Sequence, residues 1–367
     1  MIPFLDLNKQ YHEIREEMDR AIASVMETSS FVGGKFLECF EGAFAEYLGA
    51  KHFIGLGNGT DALEIALWAL ALPPGSEVIV PANTFIATSE AVTRSGLRVI
   101  FCDCLDDYTI SPASLRDSIS KNTSAVIIVH LYGQPCRIDE ILDLTTQHGL
   151  RLIEDSAHAH GATWRGRKVG TFGDIGTFSF YPGKVLGAYG DAGGCVTNDD
   201  RLAERIRMFG NHGRSSRFLH EIEGRNSRLD GLQAAVLGVK LRHLDSWLKI
   251  RNSVAGRYIE ALRGLPAVLP PVREDISHSW HLFVIRHPHR DDLKGFLSNN
   301  GIQTGIHYPF ALPNLEPYKA VREKYRHFWA CTVDKDLLSL PIGEHMTPGD
   351  ADRVAEAIQR FGGSCVL

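Results

Sequence analysis

Between about residues 50 and 200 the chain alternates short, almost unbroken apolar runs with longer amphipathic ones, and nothing else in it restricts the fold so tightly. The apolar runs are "KHFIGLG" (51–57), "EVIVP" (77–81), "LRVIFCD" (97–103), "SAVIIVHLYG" (124–133), "LRLIEDSA" (150–157), "IGTFSF" (175–180) and "GGCVTND" (193–199). Helical patterns lie between several of them, such as "TDALEIALWALA" (60–71), apolar at Ala62, Ile65, Ala66 and Ala69, and "IDEILDLTTQHG" (138–149). Strands that are apolar on both faces must be covered on both. This predicts an α/β fold with a mostly parallel sheet between layers of helices. The segment joining the last two strands is too short for a helical crossover, so these two are expected to pair antiparallel or to pass round the sheet edge. In such sheets ligands collect at the carboxyl ends of the strands.

After residue 200 the pattern changes. "DDRLAERIRMFGNHG" (199–213) and "RLDGLQAAVLGVKLRHLDSWLKIRNSVAGRYIEAL" (228–262) read as helices, the second as one long helix. "GLPAVLPPVRED" (264–275) then makes a proline-rich break. A smaller α+β unit follows, with strand candidates "SHSWHLFVIRH" (277–287) and "GIQTGIHYP" (301–309) and a closing helix "DADRVAEAIQRF" (350–361). The expected division is a large domain, 1–245, with an N-terminal arm, and a small C-terminal domain, 246–367. A net charge of −5 without a concentrated basic run argues against nucleic acid or an anionic membrane as partner. No apolar run approaches the roughly 18 residues that cross a bilayer, and acids from residue 6 onward do not suit a signal or transit peptide. Seven scattered cysteines without a CxxC pair fit a reduced, cytoplasmic protein.

Four strand ends carry candidate chemistry. "GLGNGTDALEIAL" (55–67) runs strand, glycine turn and helix start, where exposed N–H groups at Gly59 and the Thr60 hydroxyl would suit a phosphate; the alternative is a capped helix without ligand. "LRLIEDSAHAHGA" (150–162) ends its strand on Glu154 and Asp155. The Asp155 carboxylate could hold a proton on a heteroaromatic nitrogen, or could simply cap or pair. His158 and His160, like His278, His281, His287 and His289, lack the spacing and supporting ligands of a zinc site, so no metal is expected. In "PANTFIAT" (81–88), Phe85 could lie flat on a planar group or join the core. The fourth stretch, "TFSFYPGKVLGAYGDAGG" (177–194), holds a single lysine, Lys184. An amine attacks a carbonyl only when unprotonated, which burial or nearby positive charge favours. Pyridoxal phosphate (PLP) requires an amine for its aldehyde, an acid for its ring nitrogen, a stacking surface and a phosphate cradle. Lys184, Asp155, Phe85 and Gly59 with Thr60 supply these in order, and the Ser179 hydroxyl could join the cradle.

These residues, in this order, resemble the DegT/DnrJ/EryC1/StrS family of PLP-dependent sugar aminotransferases, which have the aspartate-aminotransferase fold (fold type I). The likeness runs from "IPFLDLNKQY" at residue 2 to "LSLPIGEHMT" near residue 340, most specifically in "NGTDAL", "PANTFIAT", "VHLYGQP", "EDSAHAHGA", "FSFYPGKVLGAYGDAGG" and "GRNSRLDGLQAAVL". The resemblance implies that Lys184 bonds the cofactor and shuttles the proton, Asp155 pairs with the ring nitrogen and Phe85 stacks on the ring. It further implies that Gly59, Thr60 and Ser179 hold the phosphate, helped by Asn226 from a second subunit, hence a homodimer with shared active sites. His158 stands near the cofactor's phenolic oxygen, where family members often carry glutamine. Related dehydratases replace the lysine by histidine, so retention of Lys184 favours amino transfer.

By family habit the donor is L-glutamate and the acceptor a nucleotide-linked keto-sugar. The motifs resemble members acting on 3-keto sugars, such as UDP-linked 3-keto-N-acetylglucosamine or a TDP-linked 3-keto-6-deoxyhexose, more than those acting on 4-keto sugars. The product would be an amino sugar for a surface polysaccharide, lipid A or a glycosylated natural product. Candidates for the open side of the cleft are His212, Arg214, His307 and Tyr308, with Tyr181 and Lys35 beside them. Other readings are a 4-keto enzyme, an aminocyclitol or aminoshikimate-type enzyme, and a nonenzymatic PLP-binding regulator. A nicotinamide-dependent oxidoreductase would need a GxGxxG turn after its first strand and a Tyr-x-x-x-Lys pair beyond it; the sequence has no GxGxxG, and its Tyr-x-x-x-Lys spacing, Tyr47 to Lys51, stands ahead of the first strand.

Overall fold

The computed structural model describes residues 1–364 apart from 217 and 266. The strands of the described residues, in chain order, are β1 (His52–Leu56), β2 (Glu77–Pro81), β3 (Arg98–Cys102), β4 (Thr123–Val129), β5 (Arg151–Asp155), β6 (Thr163–Trp164), β7 (Arg167–Lys168), β8 (Ile175–Ser179), β9 (Gly193–Thr197), β10 (Ile276–Ser277), β11 (Phe283–Arg286) and β12 (Leu337–Leu340). The seven strands expected from the apolar runs form one sheet in the order β1-β9-β8-β5-β4-β2-β3. Pairings from β8 through β5, β4 and β2 to β3 are parallel. β9 runs antiparallel to both β1 and β8, as the short lysine loop requires. β1 therefore points the same way as β8, and the carboxyl ends of six strands share one edge.

The helices that position this edge are α1 (Leu7–Glu13), α2 (Arg15–Thr28), α3 (Lys35–Leu48), α4 (Gly59–Ala69), α5 (Ala87–Arg94), α6 (Pro112–Ser118), α7 (Ile138–His148) and α8 (Asp200–Gly210). They cover both faces. One layer buries Ala62, Ile65, Ala66, Ala91 and Val92 of α4 and α5, and another buries Ile138, Ile141 and Leu144 of α7. Asn58 caps α4, its side chain accepting from Asp61 N at 2.8 Å. This explains why the helix starts directly beyond β1.

The single long helix expected over 228–262 is two helices, α9 (Gly231–Leu241) and α10 (Leu244–Ala261). The break falls where the backbone tightens, Arg242 N bonding Val239 O and His243 N bonding Lys240 O. Glu17 of α2 holds both junction side chains, Arg242 at 2.6 Å and His243 at 3.0 Å. The redirected α10 carries Val254, Ala255 and Tyr258, and Leu262 at its C-cap, into a second core. That core also contains α11 (Arg290–Asn299), the β11–β12 pair and, after the short α12 (Arg322–Tyr325) and α13 (Trp329–Val333), the closing α14 (Pro348–Ser364). The strand expected at 301–309 forms only isolated bridges, Ile2 with Ile302 and Gly305 with Ser339. β11 pairs instead with "LLSL", which the sequence reading did not assign. Ala311, Leu312, Tyr325 and Phe328 pack back onto the core of the main sheet. Among the described residues no helix is long and apolar enough to cross a membrane.

Candidate active site

At the carboxyl edge of the main sheet a cavity of about 540 Å³ opens between the two cores. β1 and the start of α4 bring Gly59 and Thr60, the turn after β2 brings Phe85, β5 ends on Asp155, β8 ends on Ser179, and the following loop carries Lys184. The cradle is tight. A β-carbon on Gly59 would lie 2.6 Å from Ser179 Cβ, and one on Gly193 would lie 2.3 Å from the Asn58 carbonyl carbon. Only glycines let the helix start approach β8 and β9 this closely. The N-terminal N–H groups of α4 and the Ser179 hydroxyl thus meet at one corner, a donor set that suits a phosphate.

Burial pushes the Lys184 amine down to about 8, with the Asp155 carboxylate pulling the other way. Burial raises Asp155, opposed by the Ala157 N–H at 3.1 Å, by Lys184 and by the Thr88 hydroxyl at 3.2 Å. An acid so placed holds its proton more readily than one in bulk water. Phe85 is 53% exposed, an unusual state for a phenylalanine, and its ring stands 5.6 Å from that of Tyr308. The site therefore has an amine of low basicity, a buried acid, an open aromatic face and an anion corner. These fit PLP group by group.

His158 is buried, and its protonation follows from its partners. Tyr132 N donates to Nδ1 at 3.2 Å, so that nitrogen carries no proton. Burial, with Lys184 and His307 nearby, holds the ring well below its ordinary value, so it is neutral and Nε2 bears the hydrogen. Nε2–H faces the Tyr308 hydroxyl at 3.4 Å. Beneath the site Glu154 is fully buried and accepts from Gly170 N, Phe172 N and Gly173 N at 2.6–2.8 Å and from His130 Nε2 at 3.0 Å. This network fixes the end of β5 and so the aim of Asp155.

Of the residues singled out in the sequence, Gly59, Thr60, Phe85, Asp155, His158, Ser179, Tyr181, Lys184, His307 and Tyr308 line the cavity. Lys35, His212, Arg214 and Asn226 do not; all four are exposed. Lys35 lies over the Phe36 ring, and His212, Arg214 and Asn226 belong to the loop between α8 and α9. Sequence reasoning missed Phe4, Leu5, His281 and Arg251 in the lining, and Thr88 behind Asp155. Thr88 closes "PANTFIAT" and sits four residues from Thr84, hydroxyl to hydroxyl at 3.1 Å, a spacing that a helical reading of the stretch would have exposed. Arg251 is 2% exposed and pairs with Glu344, 93 residues away, at 2.9 Å, so no local pattern marks it.

The fold and the site together define an aminotransferase. The chain belongs to the DegT/DnrJ/EryC1/StrS aminotransferase family, which residues 12–359 match. It is 42% identical over 364 residues to the dTDP-3-amino-3,4,6-trideoxy-alpha-D-glucose transaminase of Streptomyces venezuelae, covering 98% of this chain and 96% of that one. It is 40% identical over 365 residues to the UDP-N-acetyl-3-dehydro-alpha-D-glucosamine 3-aminotransferase of Acidithiobacillus ferrooxidans, covering 98% and 97%. Its fold superposes on the crystal structure of S. venezuelae DesV in complex with a ketimine intermediate, with a TM-score of 0.96, 42% identity and 98% of each chain covered. The fold type I architecture expected from the motifs is the observed one.

Proposed function

We propose that this chain is a PLP-dependent aminotransferase that moves an amino group from L-glutamate to a nucleotide-linked 3-keto sugar. The observation that carries the reading is the Lys184 amine, held near a pKa of about 8 in the same cavity as the buried Asp155. When bound, PLP supplies an aldehyde for the amine and a ring that accepts electrons from the bond being broken. The chain's residues do the rest. Lys184 would hold the cofactor covalently and, once free, would take a proton from one carbon and return it to another, a task suited to an amine that burial makes less basic than a lysine in water. Asp155 keeps a proton on the ring nitrogen. Phe85 would support the ring, Gly59, Thr60 and Ser179 would hold the phosphate, and the Nε2–H of His158, which faces the Tyr308 hydroxyl, would be available to the ring oxygen.

The 3-keto assignment rests on the two relatives above, whose names specify a 3-amino or 3-dehydro sugar on dTDP or UDP. Asn226, His212, Arg214 and Lys35, exposed and away from the cavity of their own chain, are assigned to the site of a second subunit in a homodimer. The six described cysteines are free thiols, which suits the cytoplasm. We place the division between large and small domains at 245/246, in the first turn of α10. The product is an amino sugar for a surface polysaccharide, lipopolysaccharide or natural product. The test is a panel of dTDP- and UDP-linked 3-keto and 4-keto sugars offered to glutamate-treated enzyme. Return of the lysine-bound cofactor spectrum with a 3-keto sugar supports the assignment, and return with 4-keto sugars alone overturns it.

A further inference from the structure

The wall of the cavity that faces the sheet edge is built by the N-terminal arm and the second core. Residues 2–4 are laced to 301–303: Ile2 N donates to Gly301 O at 2.7 Å, Gln303 N to Ile2 O at 2.9 Å, and Phe4 N to the Gln303 side chain at 3.1 Å. This places the Phe4 ring on the His307 imidazole, centroids 5.7 Å apart and planes within 19°. The other edges of His307 are held as well. Its Nδ1 lies 2.9 Å from Ser339 Oγ, and its carbonyl accepts from the Tyr132 hydroxyl. Gly305 leaves just enough room for the stack, since a β-carbon there would lie 2.7 Å from His307 Cε1 and 3.1 Å from Phe4 Cζ. Next along the arm, Leu5 reaches the lysine loop, 3.6 Å from where a β-carbon on Gly183 would stand. Phe4 and Leu5 both line the cavity beside Leu282, Ile342 and His307.

Resting on the function proposed above, we propose that Phe4 is a positioning residue for the acceptor half of the reaction: it fixes the His307 imidazole as a hydrogen-bonding group for a sugar hydroxyl, in a wall the amino donor does not use. The chemistry of the wall separates the two substrates. A dicarboxylate donor needs cations, and Arg251, the one guanidinium in this wall among the described residues, is committed to Glu344 at 2.9 Å and to the carbonyls of Trp280 and Ile342 at 3.1 and 3.3 Å. A carboxylate against Phe4, Leu5, Leu282 and Ile342 would be desolvated without a partner. A sugar ring offers what this wall can take, C–H faces for the apolar side chains and hydroxyls for His307. The imidazole is neutral at working pH, since burial with Lys184 nearby brings it down to about 4, so with Nδ1 on Ser339 its Nε2 donates or accepts according to the tautomer that the serine hydroxyl sets.

The two half-reactions can be followed separately on the PLP-loaded enzyme: glutamate removes the lysine-bound cofactor spectrum, and the keto-sugar restores it. Phe4→Ala is expected to raise the keto-sugar concentration for half-maximal rate about tenfold, the size of a lost ring–ring contact, while the glutamate half-reaction stays within twofold. Phe4→Tyr, which keeps the ring, should restore the wild-type value. Gly305→Ala, whose β-carbon would press on both rings of the stack while leaving the arm's own side chains unchanged, should reproduce the Phe4→Ala pattern. Equal losses in both half-reactions, or no loss in either, would overturn the inference. Wild-type enzyme that fails to respond to glutamate at all would instead refute the function on which it rests.

Discussion

Gly59 gives the sharpest test of the anion corner. Its missing β-carbon would sit 2.6 Å from Ser179 Cβ and 3.2 Å from both Ser179 Cα and Oγ. Ordinary contact begins near 3.4 Å, so in Gly59→Ala the first turn of α4 and the end of β8 must part by roughly 0.8 Å. A rotamer change cannot absorb this, because one of the clashing atoms is backbone in a strand hydrogen-bonded on both sides, to β5 and β9. Overpacking of this kind costs about 1–3 kcal/mol. The protein relieves it by opening the corner, and a phosphate must close the corner again, so the cost falls on cofactor binding. At 1.4 kcal/mol per factor of ten this weakens binding by roughly 5- to 150-fold. Calorimetric titration with pyridoxamine phosphate reads the effect, since that form has no aldehyde and reports the cradle without the lysine bond. Binding of pyridoxamine phosphate to Gly59→Ala within twofold of wild type would refute the reasoning.

Histidines shielded from water make stability depend on pH. Burial brings His160 and His278 to about 3 and His307 to about 4, from an ordinary value near 6.5. Each folded ring binds fewer protons than the unfolded one in that interval, so its contribution to stability is complete above about 6.5 and is lost as pH falls toward the folded value. Urea unfolding at pH 7 and pH 5 should show a loss of about 1.4 kcal/mol per pH unit for each ring below its unfolded value; equal midpoints at the two pH values would contradict this. Arg251 and Glu344 are both 2% exposed at their side chains, so Arg251→Met leaves a buried carboxylate unpaired and should cost about 3–5 kcal/mol. Arg251→Met combined with Glu344→Leu should recover most of that, and a single-variant loss below about 1 kcal/mol would show the pair to be unimportant.

The sheet was legible because its strands are apolar on both faces, a pattern that allows little but a covered, parallel arrangement. The cofactor corner was legible because strand ends such as those before Gly59, Phe85, Asp155 and Lys184 are marked locally, by where an apolar run stops. The break between α9 and α10 carries no glycine or proline and is set by Glu17, more than 200 residues earlier in the chain. β12 was lost for a related reason: "LLSL" is too short to show a period, and its pairing with β11 spans about 50 residues. Phe4, Leu5 and Arg251 reach the cavity through contacts between segments far apart in sequence, with partners at 303, 307 and 344. Lys35, His212 and Arg214 were picked from local composition and Asn226 from the family resemblance, and one chain places none of them at its own cavity.

The claim on which the account turns is that Lys184 is the nitrogen that bonds the cofactor and moves the proton. The direct measurement is borohydride reduction of the PLP-loaded enzyme followed by peptide mass spectrometry, run beside single-turnover spectra of Lys184→Ala with glutamate. The account predicts a reduced pyridoxyl adduct on Lys184 and a variant whose turnover is abolished. An adduct on another lysine, or a Lys184→Ala enzyme that converts glutamate at the wild-type rate, would contradict it.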